Sequence, residues 1–122
     1  MSTVDRPVIA LFCGSREWTD RTKIRRDLRA LPAGSIVVEG GARGADRIAR
    51  EEAHQLGIHV ATVQALWDYY GRPAGYRRNE AMLRLQPDIV YAYPLDGPGT
   101  AQMIRLAEDE SIPVLIRTPP TD

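Results

Sequence analysis

The sequence predicts a doubly wound (Rossmann-like) α/β fold, in which a five-stranded parallel sheet carries helices on both faces. Short apolar or β-branched runs alternate with helical patterns of about ten residues, which is typical of parallel sheets. Two turns between a strand and the next helix are rich in glycine. The 122 residues, 43% hydrophobic and 26% charged, have the length and composition of one globular domain. We predict a single domain over 1–122, with its core at about 7–117 and a frayed tail at 118–122.

The first half of the chain predicts three strands and two helices. Apolar runs at 8–13, 36–39 and 58–63 predict strands. Asp20 predicts the start of the first helix, because its carboxylate can accept hydrogen bonds from backbone amides of the first turn. The second helix is expected to end at Gly57. The inward-facing positions are Ile24, Leu28 and Leu31 in the first helix, and Ala45, Ile48, Ala49, Ala53 and Leu56 in the second.

The second half of the chain predicts the rest of the sheet. Residues 66–75 are aromatic, rich in glycine and without periodicity, which indicates an ordered loop. A helix is expected at 76–85 and strands at 88–93 and 113–117. The last helix is expected to turn three residues inward, Met103, Ile104 and Ala107. Right-handed crossovers then favour the strand order 3-2-1-4-5, which places the ligand site beyond the carboxyl ends of the strands.

The turn after the first strand contains Gly14, Ser15 and Arg16. A guanidinium at the point where the strand order reverses is suited to bidentate binding of a phosphate. The alternative is a tight turn with an exposed arginine. We predict ligand binding for all three residues.

The first glycine-rich turn, at 39–46, predicts an anion site formed by backbone N–H groups and a helix N-terminus. A phosphate is expected against the amides of residues 41–45, because glycine lets it approach closely. Arg43 is expected to assist as a cation. The predicted ligand-binding residues of this turn are Gly40, Gly41, Arg43, Gly44 and Ala45.

Two carboxylates flank the same turn. Asp46 either caps the helix or binds a ribose hydroxyl or a metal, and the sequence leaves both interpretations open. Glu39 ends the second strand and is expected to face the same mouth, where it binds a ribose or acts as a general acid or base. The alternative for Glu39 is a solvated carboxylate. If the protein is an enzyme, Glu39 and Asp46 are its candidate catalytic residues.

The second glycine-rich turn contains three predicted ligand-binding residues, Gly97, Gly99 and Thr100, and opens the last helix. The phosphate is expected against the amides of residues 97–100 as well, with Arg16 as a clamp. Thr100 is expected to cap that helix, to bind a phosphate oxygen, or to do both. Asp96 beside it can cap the helix or bind a hydroxyl.

The aromatic segment is the third candidate element of the site. Trp67, Tyr69 and Tyr70 can stack on a base, and Arg78 and Asn79 can add a cation and an amide. The competing interpretation, favoured for the tryptophan, is that these rings plug the edge of the core. The basic cluster of Arg72, Arg77 and Arg78 suits single-stranded nucleic acid or is simply a solvated face.

Composition excludes several classes of protein. The 16 basic and 16 acidic residues cancel, so no overall charge attracts nucleic acid or membranes. No apolar stretch reaches the roughly 18 residues of a membrane span, and the chain does not start like a signal peptide. The single cysteine, Cys13, fits a reducing compartment. We expect a cytoplasmic protein.

Metal and NAD chemistry are not expected. His54 and His59 have no partners at the spacing of metal ligands. The first turn holds one glycine instead of the G-x-G-x-x-G pattern, which argues against NAD-dependent hydride transfer.

Taken together, these motifs resemble the SLOG superfamily, in the YspA/YpsA-related branch found in bacteria and phages. The resemblance spans about 8–114 and rests on the turns at 14–16, 40–46 and 97–100, with Ala74-Gly75 and Arg78-Asn79 between them. It implies a Rossmann-like sheet that binds a nucleotide or nucleotide-derived ligand, AMP-like or ADP-ribose-like, as a sensor or processing domain. It also implies a homodimer or higher homo-oligomer.

The superfamily includes the LOG-type phosphoribohydrolases, whose motif P-G-G-x-G-T-x-x-E ends in a glutamate. Gly99-Thr100 matches its G-T, but Met103 stands at the glutamate position. Glycosidic cleavage needs a carboxylate beside the developing cation, so hydrolysis of nucleoside monophosphates becomes the alternative function. Binding of single-stranded DNA, as in the Smf/DprA type, is the weakest alternative because the net charge is zero.

Overall fold

The computed structural model describes residues 6–95 and 97–119 and forms a five-stranded parallel sheet of order β3-β2-β1-β4-β5. The strands are β1 Ile9–Gly14, β2 Ile36–Glu39, β3 His59–Thr62, β4 Ile89–Tyr93 and β5 Val114–Ile116. The helices are α1 Arg21–Arg29, α2 Ala45–Gln55, α3 Trp67–Tyr70, α4 Ala74–Leu83 and α5 Pro98–Asp109. The predicted fold class and strand order are confirmed. Asp96 and residues 120–122 lie outside the described residues. No helix within the described ranges is long and apolar enough to cross a bilayer.

Two apolar layers cover the two faces of the sheet. Phe12 packs with residues of α1 and α2 on one face, whereas Leu11 packs with residues of α4 and α5 on the other. This alternation confirms that β1 is buried on both sides, as expected for the central strand of a parallel sheet. Leu56, predicted to face inward, is 37% exposed because it follows the last residue of α2 as its C-cap.

The segment predicted as a loop contains a helix. The amides of Tyr70 and Gly71 donate to the carbonyls of Leu66 and Trp67, and Gly71 then ends the turn at φ 69°. The next helix, α4, begins at Ala74, two residues before the predicted start. A single helical turn is held by backbone hydrogen bonds alone, so no apolar periodicity indicated it.

A buried polar cluster connects α1 to the other end of the chain. The Asp27 carboxylate accepts a hydrogen bond from the Tyr93 hydroxyl at 2.6 Å. It also accepts two from the Arg117 guanidinium, at 2.7 and 3.0 Å. The cluster fixes β4 and the segment after β5 against α1, on the face of the sheet that Phe12 covers.

Candidate functional site

A cavity of about 640 Å³ lies beyond the carboxyl ends of β1 and β4, at the point where the strand order reverses. Its walls come from the turns after β1, β2 and β4 and from α3 and α4. Both glycine-rich turns border it, because Ala42, Arg43 and Asp46 are among its lining residues and so are residues 97–100. The predicted location is the one at which open α/β sheets bind ligands.

Most backbone amides of the first glycine-rich turn already donate hydrogen bonds within the protein. The amides of Gly40 and Ala42 donate to Asp46 Oδ2 at 3.1 and 3.4 Å, and that of Gly41 donates to Glu39 Oε1 at 2.7 Å. The Ala45 amide donates to the Ser15 carbonyl at 3.1 Å. The expectation that a phosphate meets the amides of residues 41–45 is therefore wrong for three of the five.

Gly44 serves packing, not the approach of a ligand. It adopts φ 75°, and a Cβ there would collide with the backbone of Ser15 and Arg16. The missing side chain thus lets the turn after β1 lie against the start of α2. Gly44 and Ala45 lie outside the cavity lining, and Ala45 is buried in the core. The prediction that Gly44 lets a phosphate approach the helix amides is therefore wrong.

The second glycine-rich turn, unlike the first, leaves the start of its helix without a side-chain cap among the described residues. Gly97 is the N-cap residue of α5 at φ 126°. A Cβ at Gly97 or Gly99 would meet nothing within 4 Å. Thr100 lies inside the helix, so its prediction as N-cap residue is wrong, although it lines the cavity. The first amides of α5 and its positive dipole end therefore face the cavity.

Cations dominate the remaining walls. Arg16, Arg43, Arg72 and Arg78 line the cavity, against the carboxylates of Glu17 and Asp46. Arg43 is paired with Glu17 at 2.7 Å, and both side chains are exposed. The Arg16 guanidinium lies over the Trp67 ring, 5.6 Å from its centre. These positions give the cavity a net positive charge.

Arg78 and Asn79 join the two crossovers. Arg78 donates to the Gly40 carbonyl and, at 3.0 Å, to the side-chain oxygen of Asn79. The Asn79 amide donates to Gln102 Oε1 at 2.7 Å and to the Gly99 carbonyl at 3.3 Å. The predicted pair therefore orients the first turn of α5 relative to the β2–α2 turn, and both residues also line the cavity.

The two candidate carboxylates have different surroundings. Asp46 lines the cavity, and burial raises its pKa to about 7, while the nearby Arg78 guanidinium opposes that rise. Glu39 is fully buried and accepts hydrogen bonds from the Gly41 amide and the Thr62 hydroxyl. Glu39 is neither at the mouth nor solvated, because it closes the end of β2 against β3. Both earlier interpretations of Glu39 are corrected.

The aromatic segment lies on the surface. Trp67 is 48% exposed and Tyr69 is 80% exposed, so the prediction that these rings plug the edge of the core is wrong. The tryptophan in the core is Trp18, which packs edge-on to Tyr93 at 5.4 Å. Trp67 instead lines the cavity beside Arg16.

Sequence reasoning missed the apolar floor of the cavity. Cys13, Met82 and Met103 line it and are buried. Their inward positions follow from periodicity, but which of them meets an empty space depends on the tertiary packing. Burial strongly raises the pKa of the Cys13 thiol, which keeps it protonated.

Ser15 is an organising residue of the turn after β1. Its hydroxyl accepts from the Glu17 amide, and its carbonyl accepts from Trp18 and Ala45. Gly14 and Ser15 line the cavity, whereas Gly40 and Gly41 line a smaller one beside it. No cluster of three side chains that could ligate a metal occurs in residues 6–95 and 97–119.

The strand order and the cavity at its reversal point define a Rossmann-like α/β protein. The chain belongs to the YspA, cpYpsA-related SLOG family, whose model matches residues 8–70. It is also 40% identical over 115 residues to the Gene 61 protein of Mycobacterium phage D29, covering 86% of this chain and 92% of that relative. The predicted resemblance is confirmed, and the family suggests a nucleotide-related domain.

Proposed function

We propose that the protein binds a nucleotide in the 640 Å³ cavity, with a phosphate at the N-terminus of α5. The observation that carries this proposal is that the first turn of α5, without a side-chain cap among the described residues, opens on a cavity lined by four arginines. Amides at a helix N-terminus and guanidinium groups both bind phosphate well, because each donates hydrogen bonds to its oxygens and favours negative charge. Because Asp46 and Glu39 occupy amides of the first glycine-rich turn, the start of α5 is the one of the two predicted phosphate sites that we retain.

The size and floor of the cavity support a nucleotide over a bare anion. Small-molecule sites commonly enclose about 300–1,000 Å³, and the cavity lies within that range. Cys13, Met82 and Met103 offer an apolar surface to a planar base or to a sugar face. Trp67, at the rim, offers a flat ring for stacking.

Calorimetric titration with AMP, adenosine and inorganic phosphate tests the proposal. We expect AMP to bind more tightly than either fragment, because each fragment occupies one part of the cavity. Arg16→Ala is expected to weaken AMP binding about tenfold. Arg50→Ala removes the same charge from α2 outside both cavities and is expected to leave the affinity unchanged. The proposal fails if neither AMP nor the other common nucleoside monophosphates raise the melting temperature at millimolar concentration.

Asp46 favours a second candidate function, N-glycosidic cleavage of a nucleoside monophosphate. Its pKa of about 7 lets the carboxyl group act as a general acid or base at neutral pH. The hydrogen bonds it receives from Gly40 and Ala42 both fall on Oδ2. Met103 occupies the position of the LOG-type glutamate. Of the two carboxylates in the described lining, Asp46 is buried, whereas Glu17 is exposed and paired with Arg43, which favours Asp46 as the replacement.

Chromatography of a prolonged incubation with nucleoside monophosphates separates the two functions. Release of free base that Asp46→Asn abolishes supports cleavage. Tight binding without release of base supports a sensor. Glu51→Gln serves as the control, because the exposed Glu51 pairs with Arg21 outside the cavity and its replacement should not reduce any true release.

A further inference from the structure

A second cavity adjoins the first. It encloses about 310 Å³ above the β2–α2 turn and the segment that follows β3. Gly40, Gly41 and Gln64 form part of its floor, and Arg47 of α2 stands at its side. The site proposed above makes no use of this space.

The smaller cavity is the more cationic of the two. Four arginines line it, and no aspartate or glutamate is among its described lining residues. Glu17 neutralises one of the four, Arg43, at 2.7 Å. Arg47 forms no ion pair with any residue of the described ranges. Uncompensated guanidinium groups around a concave surface are suited to a phosphoryl group.

The two cavities share a wall. Arg16, Ala42, Arg43, Trp67 and Arg78 line both of them. Each of these side chains can therefore contact groups on either side, and a ligand bound in the larger cavity can extend past them into the smaller one. Some residues are specific to one side, since Arg47 lines the smaller cavity and Arg72 the larger.

We propose that the natural ligand is a nucleotide with a second phosphoryl group, which occupies the smaller cavity among Arg16, Arg47 and Arg78. This inference rests on the proposed nucleotide binding and narrows its ligand class. The phosphoryl groups are either in series or on separate positions of the ribose. Both arrangements place two anionic groups around one nucleoside, and the probes below distinguish them.

The test compares AMP, ADP and adenosine 3′,5′-bisphosphate by calorimetry, in the presence of EDTA. We expect one of the two bisphosphorylated probes to bind at least about tenfold more tightly than AMP. Arg47→Ala is expected to remove most of that gain and to leave AMP affinity nearly unchanged. Arg50→Ala, one turn further along α2, is the matched control and should preserve the gain. The better of the two probes identifies the arrangement of the phosphoryl groups.

Three results overturn the inference. The first is equal affinity for all three probes, and the second is a gain that Arg47→Ala leaves intact. The third is an equal loss of affinity for AMP and the bisphosphorylated probes in Arg47→Ala. In all three cases the parent chain still binds AMP, so the proposed function survives. Failure of every probe to bind instead overturns the proposed function itself.

Discussion

Asp46 Oδ2 lies 3.1 Å from the backbone nitrogen of Gly40, so a carboxylate of the chain itself occupies the first glycine-rich turn. A bound phosphate would have to displace this carboxylate. The start of α5 has no corresponding side chain among the described residues. Two turns of similar composition thus differ in function, because one is filled by its own helix and the other opens on the cavity.

The raised pKa of Asp46 predicts an unusual pH dependence of stability. A buried acid with a pKa of about 7 holds its proton in the folded chain at pH values where the unfolded chain, near 3.8, has lost it. This group therefore stabilises the fold most at low pH, and its contribution falls as the pH rises from about 4 to 7. Across that range, the contribution of Asp46 to the free energy of unfolding falls by about 4 kcal/mol.

Asp46→Asn isolates this contribution, because the asparagine oxygen can still accept from Gly40 and Ala42. Urea unfolding of both proteins at pH 4.5 and 7.5 measures the free energy of unfolding. We expect the variant to gain stability relative to the parent chain as the pH rises. Other carboxylates titrate in both proteins and cancel in the comparison. Parallel pH profiles for the two proteins would contradict the prediction.

The occupation of the first glycine-rich turn by the Asp46 carboxylate could not be predicted from the sequence. The sequence shows the glycines and Asp46, and both roles of Asp46 are compatible with it. The direction of its carboxylate depends on the left-handed backbone of Gly41 and Gly44, at φ 74° and 75°. The backbone of Gly44 packs against Ser15 and Arg16, and that of Gly41 lies beside the Gln64 side chain, all of them far away in sequence. Composition alone cannot report such a contact.

Gly44 and Gly99 are expected to respond in opposite ways to alanine. Gly44→Ala places a methyl group against the backbone of Ser15 at an unfavourable φ and should cost at least about 2 kcal/mol of stability. Gly99→Ala enters open space within a helix and should stabilise the protein by up to about 1 kcal/mol. Its methyl group should nevertheless weaken AMP binding about tenfold, because it hinders the approach of phosphate.

Thermal unfolding and calorimetry of the two variants separate folding from binding. A Gly99→Ala protein that is stable and binds AMP as well as the parent chain would remove the α5 amides from the proposed site. A Gly44→Ala protein with an unchanged melting temperature would show that the turn relaxes without cost.

The cluster around Asp27 predicts a large difference between two arginine ion pairs. Arg117→Met leaves the buried Asp27 carboxylate with the Tyr93 hydroxyl as its one remaining partner in this cluster and should cost about 2 kcal/mol. Arg43→Met breaks an exposed pair with Glu17 and should cost less than about 0.5 kcal/mol. Urea denaturation of both variants measures the difference, and equal losses would contradict it.

Much of the fold was predictable because each strand and helix has its own apolar period. The order of the strands then followed from the handedness of the crossovers. The positions of Trp18 and Trp67 were not predictable in this way. Both lie in irregular or short segments. Trp18 is buried because its ring packs against Tyr93 and its indole N–H donates to the Asp20 carbonyl. Long-range contacts of this kind decide which aromatic ring reaches the cavity.

The contrast between these two tryptophans predicts a fluorescence signal for ligand binding. The chain contains two tryptophans, of which Trp18 is 2% exposed and Trp67 is 48% exposed at the cavity rim. A nucleotide in the cavity should change the emission of Trp67 and shield it from acrylamide, because it covers the ring or displaces Arg16. Trp67→Phe should lose this response and bind AMP only a few-fold more weakly, since phenylalanine retains a face for stacking. A response that persists in Trp67→Phe would come from Trp18 and would contradict the assignment of the signal to Trp67.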